Sequence, residues 1–237
     1  MKVIRNRVFE KRYEHNRQVI EGYELEGCTF DGWAGIRPDW DNPDPQLRAT
    51  IRNVTLRNTK AYGFQLSGAI IEDVVVETTK GGKSPFFLRG NVYRHVTLKG
   101  RIAWTSIRGQ VNPPLEMPEE ERQRIIVEWD KANAEYYKTV DWALDITQAD
   151  YGSLDIDGVP TRLVRRNPQN TGVVTRKRAL EGKWRKVVWS NGVFHFVISD
   201  LLRDGYEDAL LIACPRSKNY KDQLEDLQTL RDMGVAE

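Results

Sequence analysis

The feature that most narrows the fold of this chain is a five-residue frame running from Ala49 to Gly100. Ala49-Thr50-Ile51-Arg52-Asn53 and Val54-Thr55-Leu56-Arg57-Asn58 open it, and Ala69-Ile70-Ile71-Glu72-Asp73 and Val74-Val75-Val76-Glu77-Thr78 keep it. After a break it resumes as Phe86-Phe87-Leu88-Arg89-Gly90, Asn91-Val92-Tyr93-Arg94-His95 and Val96-Thr97-Leu98-Lys99-Gly100. The third position is a large apolar residue, the first is mostly Ala, Val or Phe, and the fifth is often Gly, Asn or Asp. Strand side chains alternate sides, so first and third positions point the same way. The fifth position carries residues that tolerate a corner. Four such faces make a coil of about twenty residues, and coils stack at roughly 4.8 Å.

The frame extends beyond this segment. Ile20, Leu25 and Phe30 are five apart, with Gly22, Gly27 and Gly32 at corners and Cys28 two before Phe30. Ile4 and Phe9 mark an earlier coil, and Ile107 with Gly109 repeats Leu66/Gly68 and Leu88/Gly90. Stacking equivalent faces predicts three ladders. Leu25, Ile51, Ile71 and Tyr93 form one, Phe30, Leu56, Val76 and Leu98 a second, and Ile20, Leu66, Leu88 and Ile107 a third. Residues 20–30 and 49–109 resemble the pentapeptide-repeat family, with Val in place of Ala at many first positions and Thr in place of Asp or Asn at second positions. The resemblance implies a right-handed quadrilateral parallel β-helix for the first half. With the capping helix and small α/β domain read from the residues that follow, the expected fold is mainly β with α, and its solenoid a rigid display surface with a dry core too narrow for a ligand.

Composition excludes several classes. The 237 residues include 40% hydrophobic and 30% charged side chains, as in a globular protein. No run is long enough to span a membrane, and Met1-Lys2-Val3-Ile4-Arg5 lacks the apolar core of a signal peptide. Two cysteines, Cys28 and Cys214, support neither a disulfide framework nor a zinc site. A reduced, cytoplasmic protein is the expectation. The net charge of +2 divides unevenly: residues 1–111 carry 18 Lys and Arg against 12 Asp and Glu, and residues 112–237 carry 18 against 22. Some pentapeptide-repeat proteins protect DNA gyrase by imitating acidic duplex DNA. A basic solenoid does not fit that role, although the resemblance still permits a protective or immunity-type one.

Along the chain, we expect a solenoid over 1–111, a linker and capping helix over 112–138, and a small α/β domain over 139–237. Arg5, Arg7, Lys11, Arg12 and Arg17 face outward, and His15 reads as a solvated loop residue. Prolines in 38–45 remove ladder donors, so 31–48 loops out of the wall, as does 79–85. Counting faces places both loops on one edge with Ala61 and Ala103. That edge would display Trp33, Arg37, Trp40, Lys60, Tyr62, Lys80, Lys83, Arg101 and Trp104, a cationic and aromatic set suited to protein interfaces or unpaired nucleic acid. Trp33, Arg37, Trp40, Tyr62, Lys80, Lys83 and Trp104 are the candidate partner-binding residues.

Beyond Pro118, Glu119–Glu121 favour a helix start, and Ile125, Ile126, Trp129 and Ala132 to Tyr136 give it one apolar stripe. Further on, Tyr151 to Ile156 reads as a strand, and Thr161 to Arg165 with Gly172 to Thr175 as a hairpin. Val193 to Leu202 reads as a helix, Ala209 to Cys214 as a buried strand, and Tyr220 to Met233 as an amphipathic helix with Leu224, Leu227 and Leu230 inward. Residues 162–189 concentrate cations. Arg162, Arg165, Arg166, Arg176, Lys177, Arg178 and Lys186, with Trp184, are the candidate nucleic-acid-binding set.

Catalysis has weaker sequence support. His95 falls at a corner and His195 in an apolar helix, and Ser190 and Asp200 flank His195 without establishing a triad. Glu72 and Asp73 adjoin Arg94 and His95 one coil on, where a surface charge pair explains them as well as an acid–base pair does. No nucleotide fingerprint is present. The expectation is therefore a non-enzymatic macromolecular interaction protein with no catalytic residues, cofactor or metal. Its partner is another protein or a second copy in a homodimer, not a membrane. The alternatives are nucleic-acid binding through 162–189 and an enzyme sited in the C-terminal domain.

Overall fold

The computed structural model describes residues 1–10, 13–14, 17–31, 35–62, 64–81 and 85–237, with side chains omitted at 13–14. Lys11, Arg12, His15, Gly32, Trp33 and Lys83 lie outside this set. Among the described residues the protein is a mixed α/β structure with four helices and many parallel strands. Thr50–Tyr62, Ile70–Gly81, Val96–Ile102 and Leu144–Tyr151 lie side by side in an eleven-stranded sheet. Gln65–Ser67, Phe86–Arg89, Thr105–Arg108 and Leu154–Ile156 do so in a six-stranded one. Through the middle of the sheets a strand pairs in parallel with one about twenty residues further on, such as Ile51 with Ile71 and Leu66 with Leu88, whereas Val96 and Thr105 pair with Leu144 and Leu154 beyond the helix Glu119–Tyr137.

The fifth positions set this path. Asn53, Asp73 and His95 share φ of +52°, +52° and +54°, and Asn58, Thr78 and Gly100 share +50°, +56° and +66°. Asn and Asp enter the left-handed region at low cost, so the chain bends at the same place in every rung. The bends deliver the third-position residues to the space between the sheets. Ile51, Ile71 and Tyr93 align there, as do Leu56, Val76 and Leu98, and Leu66, Leu88 and Ile107.

The upstream coil corrects the predicted ladders. Ile20, Leu25 and Phe30 fall one face further on, against Ile51, Leu56 and Ala61, and Ile36 takes the Leu66 column. Residues 37–48 occupy the fourth side without a ladder strand, so counting in fives across them slips by one face. Small residues in the Phe30 column (Ala61, then Gly81) leave room that Phe64 and Phe86 fill. Phe9, Phe30, Phe64 and Phe86 follow one another at ring separations of 5.2, 5.3 and 6.2 Å.

The predicted loops are in part ladder: within 31–48, Gly35–Ile36 is a ladder strand, and 79–81 belongs to the strand Ile70–Gly81. The 37–48 segment leaves from the corner where Gly68 and Gly90 turn and packs on helix α1 (Glu119–Tyr137). The Trp129 indole N–H donates to the Pro43 carbonyl at 2.9 Å, and the Arg48 guanidinium sits 4.5 Å from the Trp129 ring. Trp40 joins this cluster with Val111 and Ile125. Helix α1 therefore lies along a flank instead of sealing an end. After it the parallel ladders continue, with Leu144 against Val96, Leu154 against Thr105 and Val164 against Leu144.

The predicted 161–175 hairpin is absent. Thr161–Leu163 is a short helix, Val164–Arg165 joins the large parallel sheet, and Thr171–Thr175 pairs antiparallel with Asp208–Ile212. Pro160 and Pro168 separate these pieces and limit local pairing. Helices α2 (Arg176–Leu180), α3 (Val193–Asp204) and α4 (Tyr220–Asp232) enclose a second core around Trp184, Phe194, Ile198, Leu211 and Leu227. No helix among the described residues is long and apolar enough to cross a membrane.

The interior between the sheets is not filled. An apolar cavity of about 450 Å³ runs from Ile4 and Phe9 to Ile107 and Leu144. Inward residues in mid-ladder, including Leu56 and Val76, are consequently only half-buried. The cavity overturns the expectation of a dry core too narrow for a ligand.

Thr78 is the one β-branched residue among the left-handed corners. Replacing it with the corner-tolerant side chain, Thr78→Asn, is expected to raise the unfolding free energy by about 1 kcal/mol. Urea denaturation measures this, and an unchanged or lower midpoint would contradict the strain at this corner.

Candidate interaction surface

On the outer face of the large sheet most charges are matched across rungs. Glu21 pairs with Arg52 at 2.9 Å, Glu24 with Arg57 at 2.9 Å, Glu77 with Lys99 at 3.4 Å, and Glu26 with Arg5 at 2.8 Å. The pattern stops at the strand ends. Lys60 and Lys80 are exposed and directly opposed in register, and Arg101 is exposed one strand on. None of the three has an ion-pair partner among the described residues. Tyr62 and Trp104 flank this end of the strands, 44% and 46% exposed, with the Trp104 indole hydrogen-bonded to Asp155.

This corner holds Tyr62, Lys80 and Trp104 from the predicted partner-binding set. Trp33 and Lys83 lie outside the described residues, Arg37 is exposed in the 37–48 segment, and Trp40 is half-buried against α1.

The 162–189 cations are dispersed in role. Arg176 donates to the Leu201 and Leu202 carbonyls, closing the C-terminal turn of α3. Arg166 donates to the Thr161 and Val164 carbonyls, and Arg178 pairs with Glu237 at 3.4 Å. Arg165 lies 4.1 Å from the Trp142 ring. Trp184 is buried and donates to the Ala179 carbonyl, so it cannot stack on a base. Arg162, Lys177 and Lys186 are exposed. The structure does not bring this set together as one stacking platform.

A cleft of about 210 Å³ between Leu154–Ile156 and α3 escaped the sequence reading. Arg108 pairs there with Asp157 and lies 3.6 Å from Asp200, and the Gly109 N–H donates to Asp157 at 3.0 Å. Burial raises the pKa of both Asp155 and Asp157 above the usual carboxylate range, against the pull of Arg108. Burial also raises Cys214, in the same wall, to about 11. The only sequence signal for this site was the i, i+2 spacing of Asp155 and Asp157, which puts both on one side of a strand. His195 forms no triad: Ser190 bonds to Asp226 and Glu225, and Asp200 to Arg203. No group of three or more metal-ligating side chains occurs among the described residues.

His95 is held between two carboxylates, with Nδ1 3.1 Å from Asp73 and Nε2 2.8 Å from Asp141, and its ring rests on Trp142. Only the imidazolium can donate from both nitrogens. No family model, curated protein or solved structure matches the chain.

The Asp141 hydrogen bond, with help from Asp73, raises His95 above its ordinary value of 6.5. A raised folded-state value makes the contribution to stability complete below about 6.5, the unfolded value. It is lost as pH rises through the folded value. Proton NMR of the His95 ring should therefore give a midpoint above 6.5 that falls toward 6.5 in Asp141→Asn. A midpoint at or below 6.5 in the parent protein would contradict the bridge.

Proposed function

We propose that the protein is a non-enzymatic macromolecular interaction protein. In this reading the ladders wind as a right-handed, four-sided parallel β-helix resembling the pentapeptide-repeat family. Support comes from left-handed corners at five-residue steps and from the parallel return of the chain about every twenty residues.

The observation that carries the binding role is the contrast on one sheet face. Elsewhere acids and bases alternate across rungs, whereas Lys60 and Lys80 oppose each other beside exposed Tyr62 and Trp104. Like charges directly opposite destabilise a sheet, and aromatic side chains with arginine are enriched at contact surfaces. An acidic protein surface would relieve the repulsion and cover the rings. A protective or immunity-type factor that masks an acidic patch on its target fits this arrangement.

A second reading, enzymatic, is favoured by the Arg108 cleft. Asp155, on the strand Leu154–Ile156, and Asp157, just after it, both line this cleft. Burial raises both carboxyls, and Arg108 favours the ionised form of each, bonding directly to Asp157. Such a pair suits acid–base hydrolysis of a small polar substrate. If it operates, a panel of chromogenic glycosides and esters should reveal turnover that Asp155→Asn abolishes. No turnover on the panel, or turnover surviving that change, removes this reading.

For the interaction reading, a photo-crosslinker placed at Tyr62 should capture a defined acidic polypeptide in cells of origin. The same group at exposed Val127 on α1 should not. Lys60→Glu with Lys80→Glu should eliminate capture, and Trp104→Ala should weaken the isolated complex about tenfold or more. Equal capture from both positions, or indifference to charge reversal, would falsify it.

A further inference from the structure

We propose that the interior between the two sheets is a binding site for the alkyl tail of a single-chain anionic amphiphile, a long-chain carboxylate in its simplest form. The inference is independent of what the exposed corner binds.

The shape of the cavity supports it. The inward column of Ile4, Leu25, Leu56, Val76 and Leu98 spans five rungs, whose four spacings add to about 19 Å at ordinary strand separation. The walls are aliphatic and aromatic nearly throughout, and Thr59, Thr79 and Thr105 are the hydroxyl-bearing residues in them besides Tyr23 and Tyr93. Water in such a space finds few hydrogen-bond partners, whereas an extended hydrocarbon loses nothing by entering. The cavity is long and narrow, which suits one flexible chain better than a ring system.

The two ends differ. At the far end Leu144, Ile146 and Ile156 are buried and close the space. At the near end Ile4, Phe9, Val19 and Tyr23 line it while Val19 is 61% exposed, so this is the mouth. Among the described residues, two cations stand over the rings at this end. The Lys2 ammonium lies 5.9 Å from the centre of the Tyr23 ring, and the Arg7 guanidinium 5.4 Å from that of Phe9. Neither has an acidic partner among the described residues, whereas neighbouring Arg5 is matched by Glu26. Two unmatched cations over the rings that frame an apolar channel are placed to hold a carboxylate while its tail runs inward. A cationic or neutral head would not use them.

The test uses the full chain, stripped of bound lipid, with palmitate as the probe. Selectively labelled methyl groups of Leu56, Val76 and Leu98 should shift on titration, saturating at one ligand per chain. Exposed Val127 and Val188 should stay fixed. Octanoate should bind at least about tenfold more weakly because it buries fewer methylenes. The cationic amphiphile with a palmitate-length tail should also bind more weakly than palmitate. Lys2→Glu with Arg7→Glu should weaken palmitate about fivefold or more and leave a long-chain alcohol unaffected. Val76→Phe, which fills the channel, should remove binding while the circular dichroism spectrum is retained. The proposal is overturned if the interior methyls do not shift, if surface methyls shift equally, or if palmitate and octanoate bind alike. Because the methyl shifts are read on the unmodified protein, they decide the question even where a Val76→Phe variant fails to fold.

Discussion

The structure depends on a bend repeated at fixed intervals. A left-handed residue at the end of each five-residue step turns the chain without a loop, and Asn, Asp and Gly occupy most of these positions because they enter that region cheaply. Once the bends stack, the register of every parallel pair follows, and so does the direction of each side chain. Inward positions become columns, outward positions become rows of charge, and the hydrogen bonds run from rung to rung. His95 shows how a corner can gain a further role, since its imidazole joins Asp73 in one rung to Asp141 beyond α1.

Much of this was legible because the bend has a sequence signature. The alignments of Ile51 with Ile71 and Tyr93, and of Leu56 with Val76 and Leu98, follow directly from the frame. The upstream coil was misplaced because residues 37–48 take up a whole side without leaving a periodic trace. What fixes their course is the Trp129 bond to Pro43 and the stacking of Arg48, contacts between segments distant in sequence. The flanking position of α1 was illegible for the same reason, since its apolar stripe says that it packs and not upon what. The 161–175 region failed differently. Its short strands pair with Leu144–Asp145 and with Asp208–Ile212, and local alternation cannot distinguish those partners from each other.

The predicted binding residues divide along the same line. Tyr62 and Lys80 end neighbouring strands in one register, and Trp104 follows Ala103, which packs at Gly81 beside them. Trp40 was separated from them by the unperiodic segment that carries it. The basic stretch looked continuous in sequence, yet Arg166, Arg176 and Arg178 each satisfy a specific backbone carbonyl or carboxylate, and Trp184 fills a core. Cation density along a chain reports potential, and only the fold decides whether that potential is spent internally.

The charge balance of the first half can be understood in these terms. Cross-rung pairs such as Glu21 with Arg52 and Glu24 with Arg57 neutralise the sheet face locally, and exposed pairs of this kind add little stability. Their consequence is spatial: by cancelling the field over the wall, they leave the excess positive charge at its margins. Lys60, Lys80 and Arg101 hold it at one corner, and Lys2 and Arg7 hold it at the mouth of the interior. The apolar channel of about 450 Å³ opens between the last two, so the five-residue frame that builds the wall also sets where charge and apolar surface meet.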